Sequence, residues 1–205
     1  MKKNNLIRFA QSLVVLPVMT MSLSMGGIHN AEISQNLLVQ KTNIEALGTL
    51  AFNQAPDPEA VAQKAKAEAI DAYFRDHHMP LEGMGINMVQ EAEKNDLDWR
   101  LLAAISVRES TGGRNDCDKV PHNAFGWASC KVGFKSDEEA IATVARNLGG
   151  NNPKTAHHYD NKTTKQILNA YNPPSIVPRY AEQVISIMNT IGSGYVPPAL
   201  AIANS

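Results

Sequence analysis

Residues 98–113 limit the folds open to this chain more than any other stretch: Asp98-Trp99-Arg100-Leu101-Leu102-Ala103-Ala104-Ile105-Ser106-Val107-Arg108-Glu109-Ser110-Thr111-Gly112-Gly113. From Leu101 to Val107 apolar side chains fall on nearly every side of a helix. No face is left for water, so the segment has to be enclosed by other elements. Asp98 is a good N-cap, which predicts a helix over 99–110. It stops where Gly112 and Gly113 supply the backbone freedom of a C-cap. The expectation is a domain built around one central buried helix.

Glu109 lies one turn after Ile105, on the same face. Apolar neighbours disfavour an ionised carboxyl, and the carbonyl end of a helix repels negative charge. Both effects favour the protonated acid, and an acid still protonated near neutral pH can deliver a proton to a leaving oxygen, as glycoside cleavage requires. A glutamate on a frayed last turn, pointing to water or pairing with Arg108, is the competing interpretation of this segment alone.

The other segments repeat at three and four, and alternation at period two is hard to find, so the fold class is mainly α. Asp57-Pro58-Glu59 has the cap, proline and early acid of a helix start, and the helix should run to about Arg75 with Val61, Ala65, Ile70, Tyr73 and Phe74 inward. Met79 to Gly83 is a turn. A second helix over 86–94 buries Met88, Val89 and Ala92. After the central helix comes a long irregular loop, 111–134, rich in Gly, Asn and Asp; loops of that length in compact domains are mostly functional or disordered. Ser136 to Glu139 reads as a capping box, followed by an apolar stripe of Ile141, Val144, Ala145 and Leu148 that Gly149-Gly150 ends. Thr163 to Gln166 opens a short helix carrying Ile167, Leu168 and Tyr171, and Pro173-Pro174 forbids its continuation. The last helix, about 178–191, places Tyr180, Val184, Met188 and Ile191 on one face and stops at Gly192.

At 205 residues with 43% hydrophobics, the chain can bury one good core, and a single domain over 56–192 is expected. Residues 1–27 have a basic start (Lys2, Lys3, Arg8), an apolar run from Leu13 to Leu23 and small residues around Ser24 to Gly27: an export signal, or a membrane tether of marginal length if retained. Residues 28–55 read as a linker with one short helix, and 193–205 as a flexible tail. Removing the leader leaves 16 Lys+Arg against 20 Asp+Glu, about −4, which argues against nucleic acid as a partner. The two cysteines, Cys117 and Cys130, are expected to form one disulfide in an oxidising compartment, worth roughly 3 kcal/mol. No CxxC or HExxH spacing occurs, and His77-His78 and His157-His158 sit in polar segments as solvated loop residues, so no metal is assigned.

Three segments, in order, carry a resemblance. Leu101 to Ile105 leads into Glu109-Ser110; Asn123-Ala124-Phe125-Gly126-Trp127 follows in the loop; Ala170-Tyr171-Asn172 comes later. Over about Tyr73 to Ile191 the chain resembles the lysozyme-like superfamily, in particular soluble lytic transglycosylases and bacterial endo-β-N-acetylglucosaminidases that cut peptidoglycan glycan strands. The first segment looks like the helix ending in the family's catalytic Glu-Ser. The second is similar to the Asn-x-Phe-Gly segment lining the opposite side of the groove, and the third to the Ala-Tyr-Asn motif that sets a tyrosine over the acid. Gly126 is followed by Trp127-Ala128-Ser129 instead of Leu-Met-Gln, and Tyr171-Asn172 by two prolines instead of a glycine. Both departures lean toward the glucosaminidase-like branch.

The resemblance implies an exported, monomeric enzyme acting on peptidoglycan glycan strands without a cofactor, in a single lysozyme-like helical domain. Glu109 would be the general acid and then the base, and Tyr171 would bond to it or to a substrate carbonyl. Ser110, Asn123, Phe125, Gly126, Trp127 and Asn172 would line the substrate groove, although Ser110 also suits ordering the helix end and Trp127 anchoring the loop. Asp116 and Asp118, flanking Cys117, are candidates for a second carboxylate or simply solvated turn aspartates. Hydrolysis, internal transglycosylation, and glycan binding without catalysis remain distinct outcomes.

Overall fold

The structure, a computed structural model, describes residues 57–198. The expected leader (1–27) and linker (28–55) lie outside the described residues, as does the end of the tail. Among the described residues there are seven α-helices and no strand, and no helix is long and apolar enough to cross a membrane.

Helix α1, Pro58–Asp76, begins as its sequence demands: Asp57 accepts the Glu59 N–H at 3.0 Å, and Pro58 occupies the first turn. Its inward face is Ala67, Ala69, Ile70 and Phe74, with Val61, Ala65 and Tyr73 only half-buried. Helix α2, Gly85–Lys94, has no capping side chain of its own. Asp71 of α1 accepts the N–H groups of Gly83 (2.9 Å) and Gly85 (3.0 Å), closing the start of α2 from a neighbouring element. Burial outweighs those two bonds and raises the Asp71 pKa.

Helix α3, Leu101–Ser110, is the buried rod: Leu101 to Ser106 are all 0% exposed. It packs against α2, against α4 (Asp137–Leu148) and against α7 (Tyr180–Ser193). Each fully buried Leu or Ile stabilises the fold by about 1.5–3 kcal/mol, so this one segment supplies a large part of the core. It begins two residues later than expected. Asp98 does accept the Arg100 N–H at 3.0 Å, but it also grips the Arg100 guanidinium at 2.9 and 2.6 Å. Leu101 N–H closes a tight turn on Asp98 O, and regular helix starts only after it. Burial opposes ionisation of Asp98, but the Arg100 hydrogen bonds win and hold its carboxyl below the ordinary range.

The stop of α3 also differs from expectation. Thr111, not a glycine, takes the first left-handed position (φ 57°, ψ 48°), and Gly112 and Gly113 continue the turn at φ 62° and 92°. Gly112 is needed for space as well, because a Cβ there would stand 2.7 Å from the Met79 sulfur.

Ser136 caps α4 through the Glu139 N–H, but Glu139 reaches back to Lys135 N–H (2.6 Å), one residue beyond the expected reciprocal bond. A four-residue helix, α5 (Ala156–Tyr159), was not expected from its polar sequence; it is held to the core by buried Tyr159. Helix α6, Thr164–Tyr171, opens with the complete Thr163–Gln166 capping box. Helix α7 passes through Gly192 and ends at Ser193, while Tyr195 packs on Trp99 at 5.5 Å between ring centroids. The expected tail from 193 is therefore ordered at its start.

Candidate active site

Glu109 sits half-buried at the last turn of α3, on the wall of a cavity of about 700 Å³. The solvated, frayed-turn alternative is not what the fold builds. Tyr180, at the first turn of α7, donates its hydroxyl to Glu109 Oε1 at 2.6 Å. Tyr180 is 1% exposed, and burial, reinforced by the Glu109 charge, pushes its pKa far above the ordinary value. The phenol thus stays a donor to Oε1, while Oε2 has no protein hydrogen-bond donor among the described residues and lies beside cavity-lining Gly126. Gly126, at φ 60°, borders that second oxygen: a Cβ there would lie 3.1 Å from Oε2. Glycine keeps the approach to the acid open and supplies the left-handed turn at the same time.

Tyr171 lines the cavity but does not bond Glu109, the first of the two partners expected for it from sequence. Its hydroxyl donates to the Phe125 carbonyl, tying α6 to the loop. Its pKa is well above the ordinary value through burial and, secondarily, the Glu109 charge. The Tyr171 and Tyr180 rings stack at 6.1 Å with 15° between planes, and Trp127 leans on Tyr171 at 5.9 Å. The tyrosine on the acid is therefore Tyr180, which reads as a core position because it heads the apolar stripe of α7. The one signal available was that a tyrosine in a fully buried position needs a partner for its hydroxyl.

The loop 111–134 is assembled around Asn123. This side chain is 0% exposed: its Nδ2 donates to the carbonyls of Trp127 (3.0 Å) and Val132 (2.8 Å), and its Oδ1 accepts the Trp127 N–H (2.8 Å). Every one of these bonds is internal, so Asn123 positions Trp127 and has nothing left for a ligand. Phe125, 1% exposed, is likewise core, and only its carbonyl is used, by Tyr171. Ser110 Oγ donates toward Ala124 O (2.7 Å) and accepts the Gly113 N–H (2.9 Å), fastening the helix end to the loop instead of lining the groove.

Cys117 and Cys130 are joined, with Cα atoms 5.6 Å apart. Ala128, Ser129 and Cys130 are all left-handed (φ 53°, 54° and 56°), and the first two line the cavity beside Trp127. Three consecutive non-glycine residues in that region are costly for L-amino acids, at about 1–2 kcal/mol each, so the staple and Asn123 hold a turn that its own residues do not favour.

Neither candidate for a second carboxylate reaches the cavity. Asp116 spends both oxygens on turn geometry, accepting Cys117 N–H (2.8 Å) and Asn123 N–H (3.1 Å), and Asp118 is exposed and does not line the cavity. Among the described residues that line the cavity, Glu109 is the one carboxylate. Gly126, Trp127 and Asn172 line it. Thr155 and Tyr159 from the α5 region, and Ile176 and Val177 from the proline-flanked turn before α7, also line it and were not singled out from sequence. His158, read from sequence as a solvated loop residue, is exposed but lies in helix α5 and lines the cavity, because Tyr159 beside it anchors that turn to the core. No group of three or more metal-binding side chains occurs among the described residues. No protein-family model matches the chain, and neither a curated protein nor a solved structure is significantly similar to it.

Proposed function

We propose that the chain is an exported, lysozyme-like enzyme that cleaves β-1,4 bonds between amino sugars of peptidoglycan strands, as an endo-β-N-acetylglucosaminidase. One observation carries the proposal: a glutamate with one oxygen fixed by Tyr180 and the other beside Gly126, on a cavity walled by an indole, two tyrosines and an asparagine. A pyranose ring presents an apolar face suited to Trp127 and an acetamido group suited to the Asn172 amide. The disulfide is in keeping with an oxidising compartment.

In this mechanism protonated Glu109 gives its proton from Oε2 to the glycosidic oxygen as the bond to the anomeric carbon breaks. With no second carboxylate on the cavity wall, double displacement through a protein carboxylate has no candidate nucleophile. The substrate's own 2-acetamido oxygen takes that place, stabilising the anomeric carbon. Glu109, now ionised, withdraws a proton from the water that completes hydrolysis. Attack by the C6 hydroxyl instead of water would make the enzyme a lytic transglycosylase.

Glu109→Gln keeps the side-chain volume and the Tyr180 bond but has no proton to transfer to the leaving oxygen. Turnover of purified peptidoglycan is expected to fall about 10²–10⁴-fold with the thermal midpoint little changed. Mass spectrometry of the released fragments reads the reaction at the same time: reducing ends mean hydrolysis, whereas anhydro ends, lighter by one water, mean transglycosylation. Peptidoglycan that wild-type protein binds without releasing any fragment would make the domain a glycan-binding module.

A further inference from the structure

We infer that a second cleft, on the side of Tyr180 nearest Arg108, binds the carboxylates of peptide stems carried by the glycan strand, an inference that rests on the proposed function. The cleft has a volume of about 450 Å³ and is lined by Arg108, Arg179, Glu182, Gln183, Ser186 and Ile187. It is linked to the acid cavity along the chain, with no residue lining both. Arg108 immediately precedes Glu109 on α3, Arg179 immediately precedes Tyr180, and the Arg108 guanidinium lies over the Tyr180 ring, 5.7 Å from its centroid.

No ion pair among the described residues holds either guanidinium in this cleft, although the Arg179 charge helps keep the Glu182 carboxyl below its ordinary range, after the Lys165 hydrogen bond. The one carboxylate on the cleft wall, Glu182, is taken by Lys165 at 2.9 Å. Elsewhere Arg75 and Arg100 pair with carboxylates and Arg114 with the His77 and His78 carbonyls, while Arg146 uses its Nε alone, on the Asn151 carbonyl at 3.3 Å, and no second arginine shares its cleft. Arg108 also uses only its Nε, on Gln183 Oε1 at 2.8 Å, a bond that fixes the plane of the guanidinium and leaves its terminal nitrogens for a ligand. Arg179 is exposed and held left-handed at φ 64°. Two guanidiniums on one cleft match planar carboxylates with bidentate geometry. They are too few for a phosphodiester backbone, whose binding scales with the number of phosphates neutralised. A ligand attached to a sugar in the neighbouring cavity gains from being tethered, so even a weak carboxylate contact contributes.

The test uses the full mature chain and its Arg179→Glu and Arg179→Lys variants. Substrates are peptide-bearing glycan strands and the same strands stripped of peptides by an amidase. Arg179→Glu is expected to raise KM about tenfold on peptide-bearing strands, with kcat unchanged and KM on stripped strands unchanged. Arg179→Lys should fall between it and wild type. Equal KM changes on both substrates, or none on either, would overturn the inference. Titration with a free alanyl-γ-glutamyl-lysine peptide, followed by NMR, reads the cleft without catalysis. Saturable, salt-sensitive binding weakened several-fold by Arg179→Glu supports it, and no saturable binding overturns it. A protein that cleaves neither substrate yet binds the peptide would refute the enzymatic function while sustaining the cleft.

Discussion

The two walls of the acid cavity are built by opposite means. The wall of α3 and α7 is apolar packing that ends in a polar pair: buried Leu101 to Ile105, and Val184, Met188 and Ile191, carry Glu109 and Tyr180 at their margins. The wall formed by loop 111–134 buries little of its own between Asn115 and Pro121. It is held by side chain-to-backbone hydrogen bonds from Asn123, Asp116 and Ser110 and by one disulfide. The first wall resists displacement because every contact must be lost together. The second rests on a few discrete bonds, each of which can be cut separately. Under the proposed function, damage to the helical wall should therefore appear in the chemical step, and damage to the loop in substrate capture and local stability.

Asn123→Ala is the sharpest way to break the loop. It removes three hydrogen bonds and leaves the Trp127 N–H and two carbonyls unpaired; at about 1–3 kcal/mol for a buried unsatisfied group, a loss of about 3 kcal/mol in chemical denaturation is expected. An effect under 1 kcal/mol would mean that the loop does not depend on this side chain. Removing the staple, as Cys117→Ser with Cys130→Ser, should cost up to about 3 kcal/mol. It should raise KM on glycan strands several-fold while kcat holds, because Trp127 to Ser129, next to the staple, form part of the cavity rim; a fall confined to kcat would contradict the division of labour.

Tyr180→Phe tests the helical wall. The ring and its packing stay and only the bond to Oε1 is lost, so kcat should drop about tenfold with a stability change of about 1 kcal/mol. KM moving instead of kcat would place Tyr180 in binding. The smallest effect is on pH dependence. Tyr171 and Tyr180 have folded pKa values raised above those of the unfolded chain, so their stabilising contribution is complete below about pH 10 and is lost as pH rises beyond it. Thermal midpoints recorded from pH 8 to 11 should decline above about 10, and less steeply in Tyr180→Phe.

The same contrast explains how much of the molecule is legible in its sequence. The interior of α3 can be read because an all-round apolar segment has one physical solution. The stripes of α4 and α6 and the Thr163 capping box can be read because their spacing repeats. What escapes depends on contacts distant in sequence. Asn123 looks like a ligand-binding amide until the Trp127 and Val132 carbonyls close over it. Tyr180 looks like core until Glu109 arrives 71 residues away in sequence. The start of α3 moved because Arg100 competes for the carboxylate that was to begin the helix. Helix α5 was invisible because Ala156-His157-His158-Tyr159 is too short to carry a period, and only Tyr159 reaching the core gives it a reason to coil.

The placement of the chain's two tryptophans has a practical consequence. Trp127 stands on the rim of the acid cavity, whereas Trp99 is packed between Tyr195 and the Arg100 guanidinium. With Trp99→Phe, the one remaining indole is a fluorophore at the mouth of the site. Its emission would report occupancy by oligosaccharides in real time, on protein already silenced at Glu109, with no label attached.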